Sequence, residues 1–136
     1  LPQQNDIVIH LRLGDVFDLP SDEKYLTEKI PRLEPILKII KNNKHNNRIV
    51  FVTAYSFGPG KFSEGDRVKN GIEKSSQFMS KIIDNIPPNM PHLIKSSESV
   101  DEDFIYLVNA KRLIITSKSG FSVAALKINK MFRHKK

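Results

Sequence analysis

Cysteine and tryptophan are both absent from this chain of 136 residues. Without cysteine, disulfides and metal sites held by thiolates are excluded. The four histidines have no metal-ligand spacing; they are His10, His45, His92 and His134. No apolar run approaches the length of a membrane span, so we expect no transmembrane segment in this chain.

Several short functional motifs are also missing. No G-x-G-x-x-G follows the first apolar run, which argues against a standard dinucleotide site, and there is no Gly-x-Ser-x-Gly hydrolase elbow. The stretch "FGPGKFS" resembles a P-loop only briefly, because Phe62 stands where Ser or Thr is needed after Gly60-Lys61. Each of these common enzyme classes is therefore disfavoured.

The net charge of +7 favours an anionic partner. The basic residues are spread along the chain, apart from the tail at 132–136, which we interpret as a solvated end. A nucleic-acid surface would gather basic and aromatic side chains on one face, and no such pattern is present. We therefore expect no nucleic-acid partner and favour a phosphorylated small molecule.

Four short β-branched runs, at 6–13, 47–54, 90–96 and 112–117, predict buried strands. The segments between and after them have helical spacing: about 32–43 after an interruption by prolines, 67–86 before Pro87, 101–110 with Asp101 as a cap, and 120–129. Alternating strands and helices predict an α/β fold, namely a single Rossmann-like three-layer domain over residues 1–136 with a mainly parallel sheet.

The first strand, in "IVIHLRLGDVF", carries ionisable groups where it should end. Alternation places His10 and Arg12 on the same face, at the carboxyl edge of the sheet, where open parallel sheets bind ligands. Gly14 allows close approach of a ligand, and Asp15 follows it. A guanidinium here can hold a phosphate with two hydrogen bonds. The alternative is a His–Arg–Asp network that only holds the loop in place.

The second motif, "LIITSKSGFSVAAL", is a strand that ends in hydroxyl side chains before a helix begins. Hydroxyls and free backbone amides at a positive helix end are the elements of an anion site. Simple capping of the helix by Ser119 or Ser122 is the alternative. Two such strand ends in one small sheet favour a phosphate ligand more than either does alone.

Together these motifs resemble the GDP-fucose-dependent fucosyltransferases, which include the alpha-1,2, alpha-1,6 and protein O-fucosyltransferases. Their first motif, a strand ending in His-x-Arg followed by an acidic residue, stands here as "HLRLGD". Their distal motifs resemble "DEDFIYLVNAKRLIITSKSGFSVAAL", in which Ser-x-Ser-x-Phe-Ser leads into a helix. The resemblance implies one half of a GT-B glycosyltransferase, the C-terminal nucleotide-sugar-binding half.

The resemblance also implies roles for individual residues. Arg12 would hold the β-phosphate and stabilise the leaving group, with His10 supporting it. Ser117, Ser119 and Phe121 would line the phosphate and fucose end, and Asp101 or Asp103 would contact the base or ribose. Our candidate catalytic residues are Arg12, His10 and Asp15. Our candidate substrate-binding residues are Gly14, Asp101, Asp103, Ser117, Ser119, Gly120, Phe121 and Ser122.

The implied reaction is inverting transfer from GDP-fucose or a related nucleotide sugar to a glycan or protein acceptor, without a required metal or other cofactor. The implied architecture includes an N-terminal acceptor domain, so we expect this chain to be a fragment of a longer one. Leu13 stands where many members have a second arginine, and the catalytic base is not assigned, with Asp15 and Asp18 as candidates by position. The alternative function is a non-catalytic module that binds a phosphate ligand or a protein.

Overall fold

The computed structural model describes residues 1–14, 32–56, 65–96, 99–116 and 120–134, and it confirms the predicted α/β class. Strands and helices alternate through these residues. The strands are β1 (Ile7–Gly14), β2 (Ile49–Ser56), β3 (His92–Ser96) and β4 (Arg112–Ile115). The helices are α1 (Leu33–Lys41), α2 (Gly65–Asp84), α3 (Val100–Val108) and α4 (Gly120–His134).

The four strands form one parallel sheet in the order β3-β2-β1-β4. From β1 the chain moves outward through β2 to β3 and then crosses back to place β4 on the other side of β1. The strand order therefore reverses between β1 and β4. In open α/β sheets this reversal leaves a crevice at the carboxyl ends of the two strands, because the following chain segments diverge there.

The two faces of the sheet are covered by different helices, which gives the predicted three layers. Alternate residues of β1 and β2 pack under α1 and α2, in a core that contains Ile9, Phe51 and Ile82. The intervening residues pack under α3 and α4, in a core that contains Val52 and Leu107. The division between α1 and α2 on one face and α3 on the other follows the strand order, because crossovers of one hand place their helices on opposite faces when the direction across the sheet reverses.

Two expectations about the helices need correction. Asp101 is not the cap of α3, because Ser99 precedes the helix and its hydroxyl accepts the amide of Glu102 at 3.2 Å. Ile72 and Ile83 fit the apolar face that helical spacing predicts for the segment 67–86, but in α2 they are 45% and 39% exposed. The buried stripe of α2 uses Ser75 in their place, since Ser75 satisfies its hydroxyl internally by donating to the carbonyl of Gly71.

Two polar networks fasten the sheet and its covering helices. At the amino edge, the buried carboxylate of Asp6 accepts both Nε and Nη2 of Arg48, at 3.0 and 2.7 Å. On the α3 and α4 side, the amide of Asn129 donates to carbonyls at the end of α3 and just beyond it, those of Leu107, Val108 and Ala110. Asn129 thereby supplies a side-chain donor to the carbonyls at the carboxyl end of α3, where few backbone amides remain to bond them.

No helix in the described part of the chain is both long and apolar enough to cross a membrane.

Candidate functional site

The candidate site lies at the carboxyl edge of the sheet, on the α3 and α4 face and at the reversal between β1 and β4. His10 pairs in register with Val52 of β2 and Ile115 of β4, so it lies between two strands near their carboxyl ends. Helix α4 begins at Gly120, shortly after β4 ends. Both sequence motifs therefore reach the crevice at which this class of sheet binds ligands.

His10 is held directly by the second motif. Its side chain is 2% exposed, and its Nδ1 lies 2.6 Å from the hydroxyl of Ser122, which is fully buried in the first turn of α4. The hydroxyl of Thr116, which follows β4, donates to the backbone carbonyl of His10 at 2.8 Å. Two residues of the second motif, which lie 106 and 112 positions further along the chain, thus hold His10 in place.

The electrostatic state of His10 follows from this burial. Removal from water disfavours the charged imidazolium, and the nearby positive charge of Arg12 disfavours it further, which together lower the pKa of His10 to about 4. His10 is therefore neutral at pH 7. Its Nε2 is buried and meets no hydrogen-bond partner among the described residues. Such an unsatisfied group is costly in a folded protein and is typical of a functional position.

Arg12 lies two residues further along β1, on the same face as His10, and it is partly buried. It is the positive charge that acts on His10 from this strand end. Gly14 ends the strand, in register with Ser56 of β2. The structure therefore places Arg12 and Gly14 where the sequence predicted them, beyond the buried His10 and toward the open edge.

An aromatic wall, formed by Phe104 of α3 and Phe121 of α4, borders His10. The ring of Phe121 lies 5.2 Å from that of His10, and the ring of Phe104 meets Phe121 edge-on at 5.5 Å. Both phenylalanines are partly buried and pack on the core beneath. The wall connects the starts of α3 and α4 and gives the crevice an apolar side.

Asp101 and Asp103, the two alternatives for a base or ribose contact, differ sharply in the structure. Asp101 is exposed, whereas Asp103 is 4% exposed and its Oδ1 has no hydrogen-bond partner among the described residues. Burial raises the pKa of Asp103, which the positive charge of Lys95 opposes and the negative charge of Glu102 reinforces. Asp103 is therefore the better candidate for a carboxylate that accepts a hydrogen bond from a ligand.

The first turns of α3 and α4 differ in charge, although both helices begin at this edge. The first turn of α3 contains three acidic residues, Asp101, Glu102 and Asp103, whereas that of α4 contains none. Helix N-termini attract anions through their free amides and the helix dipole. The α4 end can therefore accept a phosphate, while the α3 end repels one and suits hydroxyl or N–H groups.

Three of the predicted site residues, Asp15, Ser117 and Ser119, lie outside the described residues, as does the alternative base Asp18. The remaining predicted residues belong to three elements at one edge: His10, Arg12 and Gly14 on β1, Asp101 and Asp103 on α3, and Gly120, Phe121 and Ser122 on α4. Direct contacts join His10, Phe121 and Ser122.

Sequence reasoning missed two contributors to this edge, Lys95 and Phe104. Lys95 pairs with Val52 and lies over the ring of Tyr106, with its ammonium 5.1 Å from the ring centre. A lysine inside an apolar strand was the available signal. Phe104 gives no local sign of a role at this edge, because its contact with Phe121 depends on the packing of α3 against α4.

A separate groove of about 350 Å³ lies between α1 and β4, near the amino edge of the sheet. Its lining includes Pro35, Ile114 and two exposed cations, Lys38 and Arg112. It contains none of the predicted site residues and no buried polar group. Among the described residues there is also no cluster of three side chains suited to hold a metal ion. We therefore assign the candidate site to the carboxyl edge alone.

Comparison of the chain with protein-family models, with curated proteins and with solved structures gives no significant match. Its function is therefore inferred from the chain's own residues and their geometry.

Proposed function

We propose that this chain is the donor-binding domain of a fucosyltransferase-like glycosyltransferase, which binds GDP-fucose or a related nucleotide sugar. The observation that carries the proposal is the contact between the two motifs. The His-x-Arg strand end and the helix that follows the Ser-rich segment are remote in sequence, yet His10 Nδ1 and Ser122 Oγ lie 2.6 Å apart at the reversal point of the sheet.

The diphosphate is the part of the ligand that this arrangement supports best. Arg12 supplies a permanent positive charge with a planar donor group at the strand end. Helix α4 supplies the positive end of its dipole, with no acidic residue in its first turn. His10 adds a hydrogen-bonding group but no charge, since its pKa of about 4 leaves the imidazole neutral at pH 7.

The acidic start of α3 suggests the orientation of the nucleotide. Asp103 offers an unsatisfied buried oxygen there, and three carboxylates would repel a phosphate. We therefore orient the ligand with its diphosphate toward α4 and its ribose or base toward α3. The aromatic wall of Phe104 and Phe121 lies between these two ends.

The proposed reaction is an inverting transfer. An acceptor hydroxyl attacks the anomeric carbon of the sugar while the bond to the β-phosphate oxygen breaks, and GDP departs with the bonding electrons. The hydroxyl proton passes to a general base, for which Asp15 and Asp18 are candidates by position. Arg12 would stabilise the charge that develops on the departing diphosphate, a task that a divalent metal performs in other transferases. A glycan or protein acceptor, bound by a further domain of the GT-B architecture, completes the proposal.

Calorimetric titration of the chain with GDP, GDP-fucose, UDP and pyrophosphate, each in the presence of EDTA, tests this function. We expect GDP and GDP-fucose to bind more tightly than UDP, and chelation to have no effect. Arg12→Ala should lower GDP affinity at least tenfold, which corresponds to about 1.4 kcal/mol. The loss should come from the missing charged hydrogen bonds at the phosphate.

Arg112→Ala is the matched control, because it also removes one arginine but at the exposed amino end of β4. It should retain the GDP affinity of the original chain. Absence of GDP binding at millimolar concentration would refute the proposal, as would equal losses in the two variants. GDP binding without donor hydrolysis or transfer to any acceptor, even with the acceptor domain supplied, would favour the non-catalytic phosphate-binding module instead.

A further inference from the structure

The neutral imidazole of His10 has two nitrogens in very different surroundings. Nδ1 lies 2.6 Å from the Ser122 hydroxyl, while Nε2 is buried and meets no partner among the described residues. In a neutral imidazole one nitrogen carries the proton and donates, and the other accepts. The role of Nδ1 toward Ser122 therefore fixes the role that Nε2 can offer to a ligand.

The distance indicates which group donates. N–H···O hydrogen bonds are usually about 2.7–3.2 Å long, whereas bonds that a hydroxyl donates to oxygen extend down to about 2.5 Å. The value of 2.6 Å therefore favours Ser122 as the donor and Nδ1 as the acceptor. The surroundings favour the same choice. Arg12 and the positive end of the α4 dipole attract an anionic ligand, and an anionic oxygen accepts a hydrogen bond only from an Nε2 that carries the proton.

We infer that Ser122 is a positioning residue, whose hydroxyl donates to Nδ1 and holds His10 in the tautomer that carries its proton on Nε2. His10 then offers a fixed N–H donor to an anionic oxygen of the ligand. This hydrogen bond from His10 to the ligand rests on the proposed function. Ser122 acts from beneath the imidazole and does not itself contact the ligand, in keeping with its complete burial.

Nitrogen-15 NMR of the labelled chain near pH 7.5, without ligand, tests the tautomer directly. Long-range correlations between ring protons and nitrogens distinguish a protonated from an unprotonated imidazole nitrogen. Substituting His45, His92 and His134 by glutamine assigns the His10 signals by elimination and leaves the candidate site intact. We expect an unprotonated Nδ1 and a protonated Nε2. A protonated Nδ1 would overturn the inference.

Variants of Ser122 test its positioning role. Ser122→Ala should let His10 exchange between tautomers, seen as averaged nitrogen shifts, and should weaken GDP binding about tenfold through the lost orientation. Ser122→Thr retains the hydroxyl and should restore both properties, which separates this role from simple packing. If Ser122→Ala keeps the original nitrogen pattern, Ser122 does not set the tautomer and the inference fails.

Ser75→Ala is a closely matched control, because Ser75 is equally buried and its hydroxyl also makes a 2.6 Å hydrogen bond, to the carbonyl of Gly71. It should change neither the His10 signals nor GDP affinity by more than about twofold. The tautomer is measured without ligand, so the two ideas can fail separately. Absence of GDP binding refutes the proposed function and the hydrogen bond from His10 to the ligand. A proton on Nδ1 refutes only the role of Ser122.

Discussion

The two ends of β1 each bury one ionisable side chain, and they treat it in opposite ways. Asp6, directly before the strand, is 2% exposed and accepts three hydrogen bonds, from the Gln3 amide and from Nε and Nη2 of Arg48. His10, near the other end, is equally buried, but only its Nδ1 has a partner among the described residues. Both carboxylate oxygens of Asp6 are thus hydrogen-bonded, whereas Nε2 of His10 is not bonded within the described part of the chain.

The difference distinguishes a carboxylate whose hydrogen bonds lie within the fold from an imidazole with one nitrogen that has no partner among the described residues. Both oxygens of Asp6 are used, so nothing remains there for a ligand. At His10 the protein bears the cost of a buried nitrogen that has no hydrogen-bond partner among the described residues, beside the positive charge of Arg12. Asp15, the third member of the alternative His–Arg–Asp network, lies outside the described residues, so the ligand interpretation of the His-x-Arg motif stays a proposal that binding experiments test.

The largest effect on stability should come from removing the cation that is hydrogen-bonded to Asp6. Arg48→Met leaves the buried carboxylate of Asp6 without its cation, which should cost about 3–4 kcal/mol, in the lower part of the range for such pairs because Arg48 is itself 28% exposed. Urea denaturation measures this loss, and GDP affinity of the folded protein should be unchanged. Arg112→Met, at an exposed position, should cost less than about 0.5 kcal/mol. Equal stabilities for the two variants would contradict the comparison.

The two ends should also lose stability in different pH ranges. His10 has an ordinary pKa of 6.5 and a folded pKa of about 4, so below pH 6.5 the unfolded chain binds the proton more readily. Its contribution is complete above pH 6.5 and is lost progressively as the pH falls toward 4, by about 2–3 kcal/mol.

Asp6 responds at lower pH. Burial raises its pKa, but the hydrogen bonds from Arg48 and the Gln3 amide outweigh burial, and the net pKa lies below the usual 3.8. Its stabilisation is therefore lost only as the pH falls below that value. Denaturation from pH 7 to pH 3 measures both ranges. The double variant His10→Phe/Ser122→Ala should lack the loss between pH 6.5 and 4, and its persistence would show that His10 is not the group responsible.

The smallest effect on stability should come from replacing His10 and Ser122 with apolar residues. At pH 7 the same double variant replaces an incompletely satisfied polar pair with apolar groups, so its free energy of unfolding should stay within about 1 kcal/mol of the original. GDP affinity should nevertheless fall at least tenfold. A large loss of stability with intact GDP binding would reverse the assignment and make His10 a structural residue.

Much of this fold was predictable because local patterns encode it. Short β-branched runs alternating with helical spacing predicted four strands, four helices and a parallel sheet, which the structure confirms. Pro35 was a weaker guide. It lies within the first turn of α1, where the helix requires no amide hydrogen bond from it. Similarly, the sequence pattern predicted Asp101 as the cap of α3, and the backbone geometry shows that Ser99 holds this position.

The sequence by itself determined that His10 and Arg12 share one face of a strand near its end, because side chains alternate along an extended chain. It also determined that a helix with no acid in its first turn follows the Ser-rich segment. Only the tertiary structure decided that β4 lies beside β1, which brings Ser122 to His10 across 112 positions. Strand order and the choice between Asp101 and Asp103 depend on how whole elements pack, and no local pattern records a contact between residues so distant in the chain.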